Sequence, residues 1–279
     1  MKITCWGARG SIPVSGTDYV KYGGDTTCVE IRSKDNDIII IDAGTGLRRL
    51  GNTLLSSNHR TYHMLFTHAH WDHLMGFPFF KPIYMKGTKI SMFGCPYAQQ
   101  SIKDILSKSM TAPYFPVDFN QLQAEILSHG ICEETFDIGP VRIRPIQLSH
   151  PNQGMGYRFT EDGKSFVFLT DNELTVRHPG GEEYKDYLQF AAGADLLIHD
   201  AEYTKEQYTL TKGWGHSVYT DALRLAMEAQ VKQFGLFHHN QDRTDADLDR
   251  IVDDCRRIIT EKQTHVRCFA VHAGMELEL

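Results

Sequence analysis

Short apolar runs, bounded by glycine or by polar and charged residues, recur along the chain and are typical of β-strands. They predict strands at KITCWG, TCVEIRS, DIIIIDAG, YHMLFT, TKISMFG, VRIRPIQLS, MGYRFT, SFVFLTD, ADLLIHD and QFGLFHH. Two later segments place apolar residues at a spacing of three to four, which predicts helices. The first is SVYTDALRLAMEAQ, with Ser217 as its N-cap, and the second is TDADLDRIVDDCRRIITEK, beginning at Thr244.

Many strands with helices at the periphery predict a layered α/β domain, in which sheets pack together and helices cover them. We find no short internal repeat and no low-complexity linker, so we expect one domain over residues 1–279. The segment 95–130 differs from the rest. Helix-like stretches at 98–110 and 121–130 flank TAPYFPVDF, and we interpret this segment as an inserted flap. Simple packing over the core or a partner subunit is the alternative.

Composition narrows the function classes. The hydrophobic content of 41% and charged content of 23% are ordinary for a globular protein, and the formal charge of −6 argues against a nucleic-acid-coating surface. The net charge does not exclude a local basic pocket. The six cysteines are scattered without a CxxC pair, which predicts reduced, mostly buried thiols. The N-terminus lacks an apolar signal segment and no apolar run approaches ~20 residues, so we expect a cytoplasmic protein without a membrane span.

The segment THAHWDH, residues 67–73, follows an apolar strand-like run and carries the strongest chemical signal. His68 and His70 lie two positions apart, so an extended segment places both side chains on one side. Asp72 and His73 follow at once, where the strand ends. Nitrogen and oxygen ligands without a thiolate suit Zn²⁺, with Mn²⁺ or Fe as alternatives. The spacing therefore predicts a metal site at a strand end.

This HxHxDH segment resembles the motif of the metallo-β-lactamase fold superfamily. The resemblance covers nearly the whole chain and is closest to the phosphodiesterase branch, which includes tRNase Z. Three further parts of the sequence resemble that branch: GARGSIPVSG with GGDTTCVEI, LLIHDAEYT, and GWGHSVYTDALRLAMEAQVKQFGLFHH. Two positions depart from the pattern: Asp25 stands where asparagine is more usual, and Asp200 replaces a glutamate. The fold implied is a four-layer αββα sandwich with two mixed sheets covered by helices.

The resemblance implies two divalent metal ions per chain, most simply Zn²⁺, and assigns their ligands. His68, His70 and His150 would hold one ion, Asp72, His73 and His238 would hold the other, and Asp171 would bridge them. Asp42 would orient a ligand histidine. The catalytic candidates are His216 and Asp200, as a dyad that protonates the leaving oxygen, together with Asp72. His239 is the alternative to His238, and His199 is interpreted as structural.

The function expected from this site is phosphodiester hydrolysis, with a hydroxide held between the metals as nucleophile and His216 as general acid. The chain lacks a glycine- and charge-rich insertion of the kind that tRNase Z uses to hold tRNA. We therefore expect a small anionic substrate, a cyclic nucleotide opened to a nucleoside monophosphate, with Tyr114 and Phe115 available to stack on its base. A tRNase Z-like RNA 3′-processing endonuclease, or a lactone or thioester hydrolase of the same fold, is the alternative. The resemblance also suggests a homodimer, and nothing points to a membrane partner.

Overall fold

Two seven-stranded sheets form the centre of the protein, as seen in a computed structural model that describes residues 1–95, 101–132 and 134–279. In chain order, the strands of the first sheet are β1 (Lys2–Gly7), β2 (Cys28–Arg32), β3 (Ile38–Ile41), β4 (Thr61–Leu65), β5 (Lys89–Gly94), β6 (Glu125–Gly130) and β14 (Glu276–Glu278). Their spatial order is β14-β1-β2-β3-β4-β5-β6. Strands β3 to β6 are parallel, and the other pairs are antiparallel, so the sheet is mixed.

The second sheet is also mixed. Its strands are β7 (Phe136–Ile138), β8 (Val141–Gln147), β9 (Met155–Glu161), β10 (Lys164–Leu169), β11 (Leu196–Asp200), β12 (Gln233–Phe237) and β13 (Arg267–Ala270), and they lie side by side in that order. Strands β10 to β13 are parallel. Because β8 and β10 are both antiparallel to β9, they run in the same direction. The carboxyl ends of β8, β10, β11 and β12 therefore meet at one edge.

Helices cover the outer faces of the sheets or lie in the connections between strands. They are α1 (Gly46–Leu54), α2 (Trp71–Leu74), α3 (Ile102–Ser109), α4 (Tyr184–Ala191), α5 (Lys205–Thr211), α6 (Tyr219–Glu228) and α7 (Asp245–Glu261). The Thr244 side chain caps α7 by accepting from the Asp247 amide, as its sequence predicts. No helix in the described parts of the chain combines the length and apolar character needed to cross a membrane.

The alternation of side chains along buried strands builds the layers. Ile38 and Ile40 of β3 point into an apolar cluster shared with α1 and α3, whereas Ile39 and Ile41 point into the cluster between the two sheets. A third cluster joins the outer face of the second sheet to α4, α6 and α7. Central strands such as β3 and β11 are buried on both faces, as is typical of parallel strands with helical cover, whereas edge strands such as β6 are mostly exposed. This arrangement confirms the predicted αββα sandwich.

Two local predictions differ from the structure. Residues 121–130, predicted as helix-like, contain strand β6, which pairs in parallel with β5 at the sheet edge. Ser217 does not cap α6; its hydroxyl donates to the Asn172 carbonyl, and Val218 is the N-cap.

The predicted flap packs partly on the core. The side chains of Ile102 and Leu106 in α3 are buried, and Phe115 packs against Phe79 with ring centroids 5.7 Å apart. Tyr114 is 80% exposed. The start of the helix-like stretch, residues 98–100, lies outside the described residues.

The cysteine prediction was wrong for one pair. Cys95 and Cys132 form a disulfide, with Cα atoms 4.6 Å apart, while the other four cysteines are free and buried. The two residues follow β5 and β6, which are neighbouring parallel strands, so pairing of those strands brings them together. The scattered spacing gave no sign of this, because the contact depends on tertiary strand order.

Candidate metal centre

Four side chains that follow strands of both sheets form the first ligand cluster. They are His68 and His70 after β4, His150 after β8 and Asp171 after β10, and one ligand-type atom from each lies within 4.8 Å of all the others. His150 Nε2 is 3.2 Å from His70 Nδ1, and His68 Nε2 is 3.5 Å from Asp171 Oδ2. The sequence-predicted first set of ligands is therefore brought together across the two sheets.

The second cluster contains Asp72, His73 and His238, and lies directly beside the first. Asp72 Oδ2 is 3.2 Å from Nε2 of both His73 and His238. Asp171 contacts this cluster as well, since its Oδ1 is 3.4 Å from His73 Nε2 and its Oδ2 is 3.3 Å from His238 Nε2. Asp171 thus lies between the two clusters, which is the position the resemblance assigns to a bridging ligand.

Three of the polar residues at this edge adopt the left-handed backbone region. The φ angles are 60° for Asp42, 53° for Asp171 and 54° for His238. Each follows a strand within two residues. A non-glycine residue in such a conformation costs of order 1–3 kcal/mol and persists where the surrounding structure enforces it. The three strands therefore end in abrupt turns that are built around polar side chains.

The donor set suits a pair of divalent ions. His68 Nε2 and His73 Nε2 are buried next to carboxylate oxygens, but neither nitrogen makes a hydrogen bond of acceptable geometry to a described residue. Buried polar atoms are rarely left unpaired, and imidazole nitrogens with carboxylates are the usual ligands of Zn²⁺ and related ions. The two adjacent clusters thus fit a dinuclear divalent metal site.

Hydrogen bonds to the opposite ring nitrogens hold the histidines in place. Asp42 Oδ2 is 2.8 Å from His73 Nδ1, and the Thr67 hydroxyl, which donates to the same carboxylate, is 3.1 Å from His68 Nδ1. His150 Nδ1 lies 2.9 Å from the Gly215 carbonyl. Fixing Nδ1 in this way leaves Nε2 free to coordinate a metal. Asp42 therefore has the orienting contact that was expected of it.

Burial and charge set the ionisation of the cluster. Burial lowers the pKa of His150 to about 3 and, with His73 nearby, holds the pKa of His68 well below its usual range, so both rings are neutral. At His73, burial works against the charged form, but Asp72 and Asp171 outweigh it and raise the pKa well above its usual range. Positive charge is thus favoured at this position, and a divalent ion supplies it.

His216 and Asp200 form the predicted dyad. His216 Nδ1 lies 2.9 Å from Asp200 Oδ2, so the shorter aspartate arm reaches the ring. The His216 ring stacks on His238 with centroids 4.6 Å apart, which places it next to the second cluster. Burial disfavours the imidazolium, but Glu202 and Asp200 together raise the pKa of His216 to about 9. The two carboxylates therefore favour the protonated ring.

Glu202 is a site residue that the sequence analysis missed. Its Oε2 lies 2.9 Å from His238 Nδ1 and 3.4 Å from His216 Nδ1, and its Oε1 accepts from Asn240 Nδ2. Glu202 thus orients His238 as Asp42 orients His73. Its position two residues after Asp200, on the same side of an extended segment, was the available signal.

Glu173 was also missed, and it anchors the segment that carries His216. One carboxylate oxygen accepts hydrogen bonds from the Tyr208 hydroxyl and the Gly213 amide. The other accepts from His178 Nε2 at 2.8 Å and from the Gly215 amide at 2.8 Å. Gly215 has φ 93°, and a Cβ there would lie 2.1 Å from His150 Nδ1. Only glycine fits this position. The hydrogen bonds from the Gly213 and Gly215 amides to Glu173 therefore fix the segment on both sides of residue 214.

The remaining histidine alternatives lie outside the clusters. His239 Nε2 contacts the Val271 carbonyl at 2.8 Å, away from the ligand atoms, and burial lowers its pKa to about 3. His199 Nδ1 lies 2.7 Å from the Asp200 carbonyl. These contacts agree with the choice of His238 over His239 and with a structural position for His199.

Comparisons of the sequence with known proteins agree on one family. The sequence profile of the beta-lactamase superfamily domain matches residues 38–239. Ribonuclease Z of Picrophilus torridus is 24% identical, covering 88% of this chain and 88% of the relative, and Ribonuclease Z of Haloarcula marismortui is 22% identical, covering 92% and 91%.

Solved structures share the fold over the full chain. The metallo-beta-lactamase fold protein YhfI of Bacillus subtilis superimposes with a TM-score of 0.74 at 16% identity, covering 100% of this chain and 98% of its own. The short form of human tRNase Z gives a TM-score of 0.67 at 18% identity, covering 100% and 99%. The chain therefore belongs to the metallo-β-lactamase fold superfamily, in the phosphodiesterase branch that includes tRNase Z, and is a metal-dependent hydrolase of phosphodiester bonds.

Proposed function

We propose that this protein is a Zn²⁺-dependent endoribonuclease of the tRNase Z type, which cleaves an RNA phosphodiester near the 3′ end of a tRNA precursor. The observation that carries the proposal is the His216–Asp200 pair, 2.9 Å apart, beside the double ligand cluster. The curated relatives named Ribonuclease Z, which align over most of this chain, support RNA as the substrate. The sequence-based preference for a cyclic nucleotide has no support in the comparisons.

The ligand residues define what the centre does to a phosphodiester. In the proposal, His68, His70 and His150 hold one ion, and Asp72, His73 and His238 hold the other, with Asp171 between them. Two such ions, when bound, polarise a phosphoryl oxygen and lower the pKa of a water that serves as nucleophile. Their four positive charges exceed the two ligand carboxylates, so the site attracts an anionic phosphodiester and stabilises added negative charge. A catalytic contribution of Asp72 stays a prediction.

His216 supplies the proton that the departing ribose oxygen needs. Asp200 engages Nδ1, which leaves Nε2 as the ring nitrogen that donates. Asp200 and Glu202 also favour the charged ring, which is the form that can donate a proton. A ribose alkoxide is a poor leaving group, and general-acid help of this kind is commonly worth ~10²–10⁴-fold. A β-lactam or lactone can open without such a donor, which favours phosphodiesters over the remaining alternatives.

Metal binding is tested first. Elemental analysis of protein purified without chelator should find about two divalent ions per chain, with zinc foremost, as a two-metal centre requires. Asp171→Ala should lose metal and hydrolysis together, because it removes the residue between the clusters. Full activity in Asp171→Ala would overturn the ligand assignment.

The substrate is tested by comparing candidate substrates directly. A tRNA precursor with a 3′ trailer, the same tRNA without a trailer, and 2′,3′- and 3′,5′-cyclic nucleotides are incubated with the Zn²⁺-loaded protein, and the product ends are mapped. Asp171→Ala is the matched inactive control. We expect trailer removal, with a binding affinity that falls steeply with salt as phosphate contacts require. Cleavage of cyclic nucleotides alone would replace the RNA proposal with the cyclic nucleotide function.

A further inference from the structure

A cavity of about 330 Å³ opens directly beside the candidate metal centre. His216 and Glu202, both buried, form its inner end. Ser11 also lines it, and the Ser11 amide donates to Asp72 Oδ2 at 2.9 Å, so the cavity begins at the second ligand cluster. A substrate part that enters here lies in contact with His216.

The lining suits a neutral, hydrogen-bonding group better than a phosphate. Among the described residues that line the cavity there is no lysine or arginine, whereas Glu202 and Asp242 are carboxylates. Arg243 lies nearby, but its Nη2 is held by the Glu202 carbonyl and by Gln207 Oε1 at 2.6 Å. That contact uses the oxygen of Gln207 and leaves its amide nitrogen to donate to a ligand. Sugar hydroxyls and a nucleobase match this chemistry.

Trp214 stands at the rim of the cavity with 62% of its surface exposed. Its backbone is nevertheless fixed. The flanking Gly213 and Gly215 amides both donate to Glu173, at 2.7 and 2.8 Å, and the Trp214 amide donates to the Thr211 carbonyl. A large aromatic ring on a rigid backbone, held in solvent beside a cavity, is a stacking platform with little ordering cost, of the kind that binds bases in single-stranded nucleic acids.

We infer that this cavity is the leaving-group subsite, which takes the nucleoside whose oxygen His216 protonates, with its base stacked on Trp214. The inference rests on the proposed function, because it assumes a phosphodiester with a nucleoside on the leaving side. It assigns specificity to a residue outside the ligand clusters and the proton-donating dyad. The enzyme should therefore require a base at the position whose oxygen departs.

The test compares two RNA substrates that differ only at the leaving nucleoside, which end mapping identifies. One carries the natural base there and the other an abasic ribose. For the wild-type protein, kcat/KM should be about 5- to 150-fold higher with the base, the range expected for one stacked base. Trp214→Ala should reduce this ratio to near one, whereas Trp214→Phe should retain most of it. Tyr184→Ala is the matched control, because Tyr184 is an aromatic residue of α4 that neither lines the cavity nor belongs to the ligand clusters, and it should keep the wild-type ratio.

The outcomes separate this inference from the proposed function. If the wild-type protein cleaves neither RNA, the proposed function fails and the subsite assignment fails with it. If it cleaves both RNAs at equal efficiency, or if Trp214→Ala retains the wild-type ratio, the subsite assignment alone is overturned. Metal content and thermal unfolding of each variant show that a changed ratio does not arise from a damaged centre.

Discussion

Glu173→Gln is the substitution that most directly tests how the His216 segment is held. The carboxylate side chain of Glu173 is fully buried and accepts four hydrogen bonds, two on each oxygen. Glutamine has nearly the same shape but replaces one oxygen by an NH₂ group. At least one glycine amide then faces a donor instead of an acceptor, and the Tyr208 hydroxyl or the His178 ring beside it must reverse its role to pair with the new group.

The size of the effect follows from these contacts. A buried donor left without an acceptor costs about 1–3 kcal/mol, and the bonds that survive are weaker because the acceptor is no longer charged. Gly215 is buried and Gly213 is partly exposed, so the two amides do not contribute equally. We expect a total loss of about 2–5 kcal/mol in the free energy of unfolding. For a chain of this size that corresponds to a Tm lower by roughly 3–9 °C.

Thermal unfolding of the metal-loaded proteins measures this loss, with Glu228→Gln as the matched control. Glu228 is exposed and accepts one hydrogen bond, from the Tyr184 hydroxyl, so its substitution should change stability by less than about 0.5 kcal/mol. Turnover of an RNA substrate should fall with Glu173→Gln, because the His216 segment loses its anchor. A Tm equal to that of the wild type would refute the idea that Glu173 fixes this segment.

The pH dependence of the stability difference between the wild type and Glu173→Gln gives a second check. Burial alone would raise the pKa of Glu173, but hydrogen bonds from Tyr208, His178 and the two glycine amides outweigh it and lower the pKa below its ordinary value of 4.5. A carboxyl whose pKa is lower in the folded state contributes stability above its unfolded pKa and loses it as the pH falls through the folded value. The gap between the wild type and Glu173→Gln should therefore be full at neutral pH and close below about pH 4.5. A gap that widens in acid would contradict the sign of this shift.

Three further outcomes are expected. His216→Ala should slow cleavage of RNA by ~10²–10⁴-fold and slow bis(p-nitrophenyl) phosphate far less, with metal content unchanged, because p-nitrophenolate leaves without a proton; equal losses on both substrates would exclude a general acid. Asp42→Asn should weaken metal binding by about 10–100-fold in a chelator competition, since the His73 ring loses its charged partner, and unchanged affinity would contradict the orienting role. Peptide mapping without reductant should recover one disulfide, between Cys95 and Cys132, whereas alkylation of both thiols in the folded protein would show that the pair is not bonded.

The sequence predicted the architecture because its signals were local. Buried strands such as β3 are continuous apolar runs, and the N-cap residue Thr244 predicts where helix α7 begins. Ligand residues follow those runs directly, so parallel strands bring the ligands of one sheet to one edge. The combination of His68 with Asp171 and His238, which follow strands of the other sheet, was expected from the family resemblance.

What the sequence did not predict depends on contacts between distant segments. Residues 121–130 contain good helix formers, but pairing with β5 overrides that preference and makes β6 a strand. The Cys95–Cys132 disulfide depends on the same pairing. Glu202 and Glu173 were missed because their partners, such as His238 and Gly215, lie about forty positions away in the chain. For Glu202 the spacing of two from Asp200 was a local signal, whereas no local periodicity marks Glu173.

The division of the ligands between the sheets has a consequence for how the molecule unfolds. His68 and His73 follow a strand of the first sheet, whereas His150, Asp171 and His238 follow strands of the second. Any ion held by either cluster is therefore a cross-link over the seam between the two sheets, and it must be released before they separate. An ion present at 100 times its dissociation constant would add about 2.7 kcal/mol to this cross-link. Chelation should accordingly speed hydrogen exchange first at the seam, in β4 and β10, and leave the outer helices less affected, so that the metal pair couples the two halves into one cooperative unit.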